Sequence, residues 1–206
     1  MIDISVPDIV VGRLPLYLRS LQKMSQEGQQ VTSSQELGEV LGISAAQIRK
    51  DLSQFGEFGK QGTGYNIEYL VEQLQKILNV DRVWDVVVVG AGDIGSALAR
   101  YQGFANRGFR VTMVFDSDPN KIGKQEGSHI IQDSALIVDV IKKAGVKIAM
   151  IAVPASQAQK VANQLIEAGV KSLLNYAPTS ISVPKDTHLQ HIDPAIHLQH
   201  MTYYLD

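Results

Sequence analysis

The sequence predicts an α/β protein in which a helical N-terminal part precedes a doubly wound, largely parallel sheet. Two observations support this prediction. Residues 1–80 show helical periodicity with one glycine-rich break, whereas residues 83–193 alternate short apolar runs with helical stretches. Such alternation is typical of strands that are covered by helices on both faces. The change in pattern predicts three segments, which are 1–80, 81–192 and a terminal segment 193–206.

Two capping boxes mark a pair of short helices in the N-terminal part. Residues 33–36 (Ser-Ser-Gln-Glu) and 44–47 (Ser-Ala-Ala-Gln) have the pattern in which a serine side chain caps the helix that follows it. Gly42 between them suits a tight turn. An earlier helix is predicted over residues 9–24, with its regular part starting at Pro15 because a first turn tolerates proline. Two short helices joined by a tight turn form a helix-turn-helix unit.

A hairpin and a further helix complete this part. Residues 58–65 contain three glycines, which predicts a β-hairpin. Asn66 can cap a last helix, whose apolar residues recur at helical spacing as far as Leu78. A hairpin after a helix-turn-helix unit makes a winged helix-turn-helix domain, with the hairpin as its wing.

The second part contains six strand candidates. Residues 86–89 are all valine, as expected for a central parallel strand. The other candidates are 110–115, 129–131, 147–153, 171–174 and 189–192. Helices are predicted at 94–105, 134–144, 156–168 and 195–205. This order predicts a Rossmann-type sheet.

A glycine motif follows the first of these strands. The pattern G-x-G-x-x-G is formed by Gly90, Ala91, Gly92, Asp93, Ile94 and Gly95. After a strand and at the start of a helix, this pattern predicts a dinucleotide site. Gly90 allows a tight turn, Gly92 lets the backbone approach a pyrophosphate at the helix N-terminus, and Gly95 lets the helix pack close to the strand.

Asp116 stands at the end of the second predicted strand, 21 residues after Gly95. A carboxylate at this place can accept hydrogen bonds from the adenosine ribose and repels a 2′-phosphate. We therefore expect NADH and NAD+ rather than their phosphorylated forms. The alternative is that Asp116 only caps the turn that follows it.

Two later strands end in segments that are candidates to line the nicotinamide end of the site. Val153 and Pro154 follow one strand, and Asn175 begins the run Asn-Tyr-Ala-Pro at the end of the next. Ligands of open α/β sheets lie at the carboxyl ends of strands. The alternative for both prolines is an ordinary loop.

The second helix of the helix-turn-helix pair has the residues of a DNA-reading helix. Its polar residues include Gln47, Arg49, Lys50 and Ser53, and we expect them to face a major groove. Lys60 and Tyr65 place polar groups on the wing. The apolar side is assigned to Ala46, Ile48, Leu52 and Phe55.

Charge does not by itself support DNA binding. The net charge is −2, and residues 1–80 carry more acidic than basic side chains. We expect Asp51 to weaken the positive charge of the helix. A solvated amphipathic helix is therefore the alternative interpretation.

The chain resembles the Rex family of bacterial redox-sensing repressors. The resemblance lies in residues 47–56 and 58–65, in the glycine motif, in residues 101–104 and 115–119, and in the segments at 153–154 and 175–178. It covers nearly the whole chain. It implies a homodimer that binds a palindromic operator in double-stranded DNA when NADH is scarce and releases it when NADH binds. It also implies that Arg49 and Lys50 are principal DNA contacts.

The resemblance further implies a switch between the two domains. Members of the family join an arginine, a tyrosine and an aspartate across the domains, and these match Arg19, Tyr101 and Asp193 here. We expect the contact between Arg19 and Asp193 only in the DNA-competent arrangement. Tyr101 is also expected near the dinucleotide. The terminal helix is expected to swap into the partner subunit, but Pro194 stands where the family carries an aromatic residue near the nicotinamide.

An NAD-dependent oxidoreductase is the main alternative, and a module that binds coenzyme A or another nucleotide is a third. Only about a dozen residues follow the last predicted strand, too few for a substrate domain, so we expect no enzyme.

Other classes of protein are disfavoured. There is no cysteine, and the five histidines have no carboxylate-rich neighbourhood, so no metal site is expected. No apolar run reaches the roughly 18 residues that span a bilayer, and the N-terminus does not resemble a secretory signal. We therefore expect a cytoplasmic protein with no membrane association.

Overall fold

The structure is a computed structural model that describes residues 6–60 and 64–205. The chain divides into two compact units, Met1–Arg82 and Val83–Asp206. Each unit has its own apolar core. The terminal segment 193–206 belongs to the second unit.

The described part of the first unit contains five α-helices: α1 (Asp8–Val11), α2 (Leu14–Gln26), α3 (Ser34–Leu41), α4 (Ala45–Ser53) and α5 (Ile67–Ile77). The single helix predicted over residues 9–24 is therefore two helices, α1 and α2. Pro15 lies in the first turn of α2, where its missing N–H costs no helical hydrogen bond.

Side chains cap the helices as the sequence predicts. Ser33 accepts a hydrogen bond from the backbone N–H of Glu36, and Ser44 accepts one from Gln47. Asn66 caps α5. Gly42 ends α3 with a φ of 67°, a left-handed conformation that favours glycine. Because only a short turn separates them, α3 and α4 form the predicted helix-turn-helix pair.

A small antiparallel sheet forms the wing. Its strands are β1 (Val31–Thr32), β2 (Gly59–Lys60) and β3 (Gly64–Asn66), in the order β1-β3-β2. The predicted hairpin consists of β2 and β3, and its tip, residues 61–63, lies outside the described residues. Strand β1 is not predicted because two residues are too few for a recognisable alternation. A side chain at Gly64 would collide with the carbonyl oxygen of Thr32 in β1, which explains the glycine at this position.

The core of the first unit joins all of its longer helices. Its fully buried side chains include Leu14, Tyr17 and Leu21 of α2, Leu37 of α3, Ile48 of α4, and Ile67, Leu70 and Leu74 of α5. Helix α4 thus packs against the core on one side, and its other side is exposed to solvent.

The second unit is built on a seven-stranded sheet. Its strands are β4 (Trp84–Val89), β5 (Phe109–Asp116), β6 (Gln125–Glu126), β7 (His129–Asp133), β8 (Ile148–Ile151), β9 (Ser172–Asn175) and β10 (His188–His191). The order is β10-β9-β8-β4-β5-β7-β6, and every pair is parallel except β6 with β7. The order reverses at β4, as in a Rossmann-type doubly wound sheet, so ligands are expected at the carboxyl ends of β4 and β8.

Helices α6 (Asp93–Arg100), α7 (Ile137–Ala144) and α8 (Ala155–Glu167) pack on this sheet, and α9 (Pro194–Thr202) follows β10. The helix predicted over residues 94–105 ends at Arg100, and a 3-10 helix, Gln102–Arg107, continues the chain. Tyr101 between them has extended backbone angles, and its ring packs edge-on against Phe104 with 4.9 Å between centroids. The spacing of the apolar residues in the sequence gives no sign of this break.

Helix α9 is exposed along its length. Its large apolar residues Ile196, Leu198 and Met201 are each about 60 % exposed. Asp193 caps the helix by accepting a hydrogen bond from the backbone N–H of Ala195 at 2.9 Å. In the described part of the chain no helix is long and apolar enough to cross a bilayer.

Candidate functional site

The glycine loop connects β4 to α6. Gly90 has a φ of 99°, and a side chain there would collide with the carbonyl oxygen of Ala152. A side chain at Gly95 would collide with the carbonyl oxygen of Gly90. Gly92 differs, because a Cβ there would meet nothing within 4 Å. The fold therefore requires two of the glycines, and the third faces open space at the start of a helix.

Asp116 ties the end of β5 to this loop. Its Oδ2 accepts a hydrogen bond from the backbone N–H of Ala91 at 2.7 Å, and its Oδ1 accepts one from Asp118 at 2.8 Å. The Nζ of Lys121 lies 3.3 Å from Oδ2. Burial favours the neutral acid, but the two backbone N–H groups and Lys121 outweigh it and lower the pKa of Asp116. The side chain caps the turn and supports the glycine loop, and it remains ionised at neutral pH.

A cleft of about 400 Å³ opens beside this pair of contacts. Of the residues predicted to bind a dinucleotide, it is lined by Gly90, Gly92, Asp116, Val153 and Pro154. Six further polar residues of the wall are not predicted from the sequence, and they are Ser117, Lys121, Ser134, Gln157, Lys160 and Gln164. A glycine-lined mouth, one carboxylate and two ammonium groups can together hold a ribose and phosphates.

The remaining predicted residues do not line this cleft. Ala91 is buried, while Asp93 and the half-exposed Ile94 stand in the first turn of α6. Gly95 is buried under the loop, and Tyr101 is half exposed at the end of α6.

Asn175 is fully buried at the end of β9. Its amide nitrogen lies within hydrogen-bond distance of the carbonyl oxygens of Ala177 and Thr179 and of Nδ1 of His191. Its amide oxygen accepts from the backbone N–H of Ala177. These bonds hold the loop that follows β9, and they engage both ends of the amide.

In the first unit, α4 presents Arg49, Lys50 and Ser53 as exposed side chains. Gln47 is partly buried at the edge of this face. The assignment of Ala46 to the apolar side is wrong, because Ala46 is exposed. The buried residues of α4 are Ile48, Asp51 and Leu52, and continuing this stripe by three or four residues leads to Ala45 or Ser44 rather than Ala46.

A second cleft, of about 670 Å³, lies between α3, α4 and the wing. Of the predicted DNA-binding residues, Arg49, Ser53 and Tyr65 line it. The Nη1 of Arg49 donates a hydrogen bond to the hydroxyl of Ser34 at 2.9 Å. Burial raises the pKa of Tyr65. Lys60 lies in β2, and its side chain is not among the described parts of the structure.

Asp51 does not reduce the positive charge on the exposed face of α4, contrary to expectation. Its side chain is fully buried and accepts two hydrogen bonds from the guanidinium of Arg13, one from Tyr17 and one from Gln47. Burial opposes the charge, but these donors outweigh it and lower the pKa of Asp51. The negative charge is therefore neutralised inside the unit by Arg13.

The predicted switch residues belong to different units. Arg19 is exposed on α2 of the first unit, while Tyr101 and Asp193 belong to the second. Their contact therefore remains a prediction. In the described ranges no three His, Asp or Glu side chains gather into a group that could hold a metal ion.

Comparison with known proteins covers both units. Residues 81–179 match the model of the CoA binding domain family, and residues 5–53 match a model of a DNA-binding protein N-terminus. The redox-sensing transcriptional repressor Rex of Chloroflexus aggregans is 54 % identical over 97 % of this chain and 94 % of that protein. The Rex repressor of Streptomyces coelicolor is 42 % identical over 97 % of this chain and 77 % of its own length.

Two solved structures are similar to this chain over nearly its whole length. A crystal structure of RSP in complex with beta-NAD+ and operator DNA has a TM-score of 0.93 and 35 % identity, covering 98 % of this chain and 94 % of that one. A structure of RSP in complex with beta-NADH has a TM-score of 0.89 and 32 % identity, covering 98 % and 95 %. Because the relatives that match over nearly the whole chain are repressors, the oxidoreductase alternative is rejected. This chain belongs to the Rex family of redox-sensing transcriptional repressors.

Proposed function

We propose that this protein represses transcription by binding a palindromic operator when NADH is scarce, and that NADH binding releases the DNA. The observation that carries the proposal is the contact between Asp116 and the glycine loop at the mouth of the 400 Å³ cleft. It supplies an ionised ribose acceptor beside an open glycine, which is what a dinucleotide requires. A DNA-reading helix with exposed basic residues stands in the other unit.

In the second unit, the pyrophosphate would lie in the open space at Gly92. It would face the first turn of α6, which begins with Asp93 and Ile94. Asp116 would accept the ribose hydroxyls and repel a 2′-phosphate, which favours NADH and NAD+ as effector ligands. Val153 and Pro154 would line the site beyond the phosphates. Within this scheme Ala91 and Gly95 shape the loop.

Asn175 and Tyr101, which do not line the cleft, have less direct roles in this scheme. Asn175 would hold the loop after β9 in place rather than donate to the ligand, since its amide is already bonded within that loop. The ring of Tyr101 is half exposed and available for a contact with the ligand or with the other unit.

In the first unit, α4 would enter the major groove. Lys50 and Ser53 are exposed and would reach base edges or phosphates. Arg49, held by Ser34, would contact the phosphate backbone close to the N-terminus of α3. Lys60 and Tyr65 would bring the wing to the adjacent groove or backbone. Gln47 at the N-terminal end of α4 would read a base.

Release of DNA requires that NADH bind the DNA-incompetent arrangement more tightly than the competent one, since a ligand of equal affinity shifts nothing. A contact among Arg19, Tyr101 and Asp193 that exists only in the DNA-competent arrangement would favour that arrangement until NADH binds. If Arg19→Ala bound operator normally and released it normally with NADH, these residues would not form the switch.

A homodimer fits both the palindromic operator and the exposed apolar residues of α9. Swapping α9 into the partner subunit would cover Ile196, Leu198 and Met201. Pro194, the first residue of α9, offers no aromatic ring for the nicotinamide. The proposed place of action is the cytoplasm, where operator DNA is accessible.

A mobility-shift titration tests the proposal. The protein is incubated with a palindromic duplex enriched from a random library, and NADH and then NAD+ are added. We expect NADH to release the duplex and NAD+ to release it poorly. Lys50→Ala should lose DNA binding but keep NADH binding. Retention of the duplex at saturating NADH would reject the proposed function.

A further inference from the structure

A buried carboxylate stands behind the DNA-reading face of α4. Asp51 has no exposed surface and lies one helical turn after Gln47, which is partly buried at the edge of that face. The Nε2 of Gln47 donates a hydrogen bond to Oδ1 of Asp51 at 2.6 Å. A residue inside the unit is thus joined directly to a residue at the DNA-facing edge.

This bond determines which end of the Gln47 amide faces inward. An ionised carboxylate has only acceptors, so it can bind the NH₂ end of the amide and never its oxygen. A free glutamine can exchange the positions of the two ends by rotating its last torsion angle. Beside Asp51 that rotation would place two oxygens against each other, which is unfavourable.

Arg13 and Tyr17 keep the carboxylate in this state. The guanidinium of Arg13 donates to both oxygens at 2.6 and 2.7 Å, and the hydroxyl of Tyr17 donates to Oδ2 at 2.6 Å. These donors come from residues at the start of α2, so Asp51 is held from outside its own helix. Protonated Asp51 could donate to the amide oxygen, and the pairing with Arg13 prevents that protonation.

The outward part of the amide then has a defined pattern. No hydrogen bond within residues 6–60 and 64–205 uses the Oε1 of Gln47, and its Nε2 carries a second N–H. An acceptor beside a donor matches the major-groove edge of adenine, whose N6 donates and whose N7 accepts. Gln47 lies in the first turn of α4, the part of a recognition helix that reaches base edges.

We propose that Asp51 is a positioning residue that sets the base preference of the protein through Gln47, by holding its amide in the orientation that pairs with adenine. This inference rests on the proposed function, because it assumes that α4 reads the major groove. It assigns a role in sequence recognition to a residue that cannot itself touch DNA.

Selection from a random palindromic duplex library, followed by affinities for single-base variants of the enriched duplex, tests the inference. We expect the wild-type protein to prefer adenine at one position of each half-site. Gln47→Ala should lose that preference by about 5-fold to 150-fold, the range for a bidentate side chain–base pair. Asp51→Asn should weaken the preference at the same position and leave the others unchanged, because asparagine can bind either end of the amide.

Two further variants separate positioning from folding. Arg13→Gln combined with Asp51→Asn removes both charges of the pair, so no unpaired charge remains if the single variant folds poorly. The double variant should show the same loss at the same position. Tyr17→Phe removes one donor but keeps the carboxylate and should keep the adenine preference. Far-ultraviolet circular dichroism and thermal unfolding show whether each variant is folded.

The outcomes distinguish this inference from the proposed function. Unchanged base preference in the double variant, or an equal loss at every position, overturns the positioning role. A preference that survives Gln47→Ala also overturns it. A wild-type protein that enriches no duplex overturns the proposed function and this inference with it.

Discussion

The carboxylate of Asp116 accepts a 2.7 Å hydrogen bond from the backbone N–H of Ala91, and this bond joins the end of β5 to the loop after β4. The two strands are neighbours in the sheet, so their carboxyl ends meet at one edge. The same carboxylate that would accept the ribose thus also shapes the loop that would accept the pyrophosphate. Substitutions at Asp116 are expected to affect both.

Asp116→Ala should lower NADH affinity by about 10-fold to 150-fold, since a hydrogen bond to a charged group contributes about 1.5–3 kcal/mol. Isothermal titration calorimetry measures the change. Asp118→Asn is the matched control, because Asp118 bonds within the following turn and not to the glycine loop. Equal NADH affinity in wild type and Asp116→Ala would remove Asp116 from the site.

Asp116→Ser should also shift the choice of dinucleotide. It removes the charge that repels a 2′-phosphate and leaves the ammonium of Lys121, 3.3 Å from the former carboxylate, free to attract one. We expect the affinity for NADPH relative to NADH to rise at least about tenfold. Adding Lys121→Met should abolish the gain. A ratio that does not respond to Lys121 would show that this lysine lies outside the reach of the ribose.

Gly92 and Gly95 should respond differently to alanine. At Gly95 the added methyl group collides with the backbone of Gly90, and we expect a loss of about 1–3 kcal/mol in the stability of the second unit. Gly92 has a φ of −82° and open space around it, so Gly92→Ala should fold normally yet lose NADH binding. Thermal unfolding and calorimetry compare the two, and normal NADH binding by Gly92→Ala would argue against a pyrophosphate there.

The hydroxyl of Tyr17 should lose its proton only at high pH. Its burial, together with its hydrogen bond to Asp51, raises its pKa to about 12, above the value of about 10 in an unfolded chain. The stability that this protonated group contributes is complete below about pH 10 and is lost as the pH rises through about 12. The difference in phenolate absorbance between wild type and Tyr17→Phe should therefore have its midpoint near pH 12. A midpoint near pH 10 would contradict the burial of the hydroxyl.

Self-association should depend on α9. Leu198→Glu and Ile196→Glu would each place a charge in the face that we expect the partner subunit to cover, so both variants should weaken the dimer. Gln199→Glu, also exposed on α9, is the charge-matched control. Sedimentation equilibrium over a range of concentrations gives the association constants. Dimers that tolerate both substitutions would place the interface elsewhere.

The predicted elements that agree with the structure are those with local causes. A capping serine acts on a backbone N–H three residues away, as at Ser33 and Ser44, so its pattern is visible in the sequence. The apolar strands that build the sheet are equally local. The break after Arg100 and the two-residue strand β1 were missed, because the first depends on how Tyr101 packs and the second on a partner strand more than thirty residues away.

The sequence by itself determined the order of helices and strands, the glycine motif and the presence of a carboxylate at the end of β5. Only the tertiary structure decided what these residues contact. Asp51 reads as an exposed acid until Arg13, 38 positions away, is seen to neutralise it, and Asp116 meets Ala91 across 25 positions. Lys121 likewise becomes part of the cleft only through its place beside Asp116. Periodicity records which side of a helix is apolar, but the burial of a charge depends on partners that the fold brings from elsewhere in the chain.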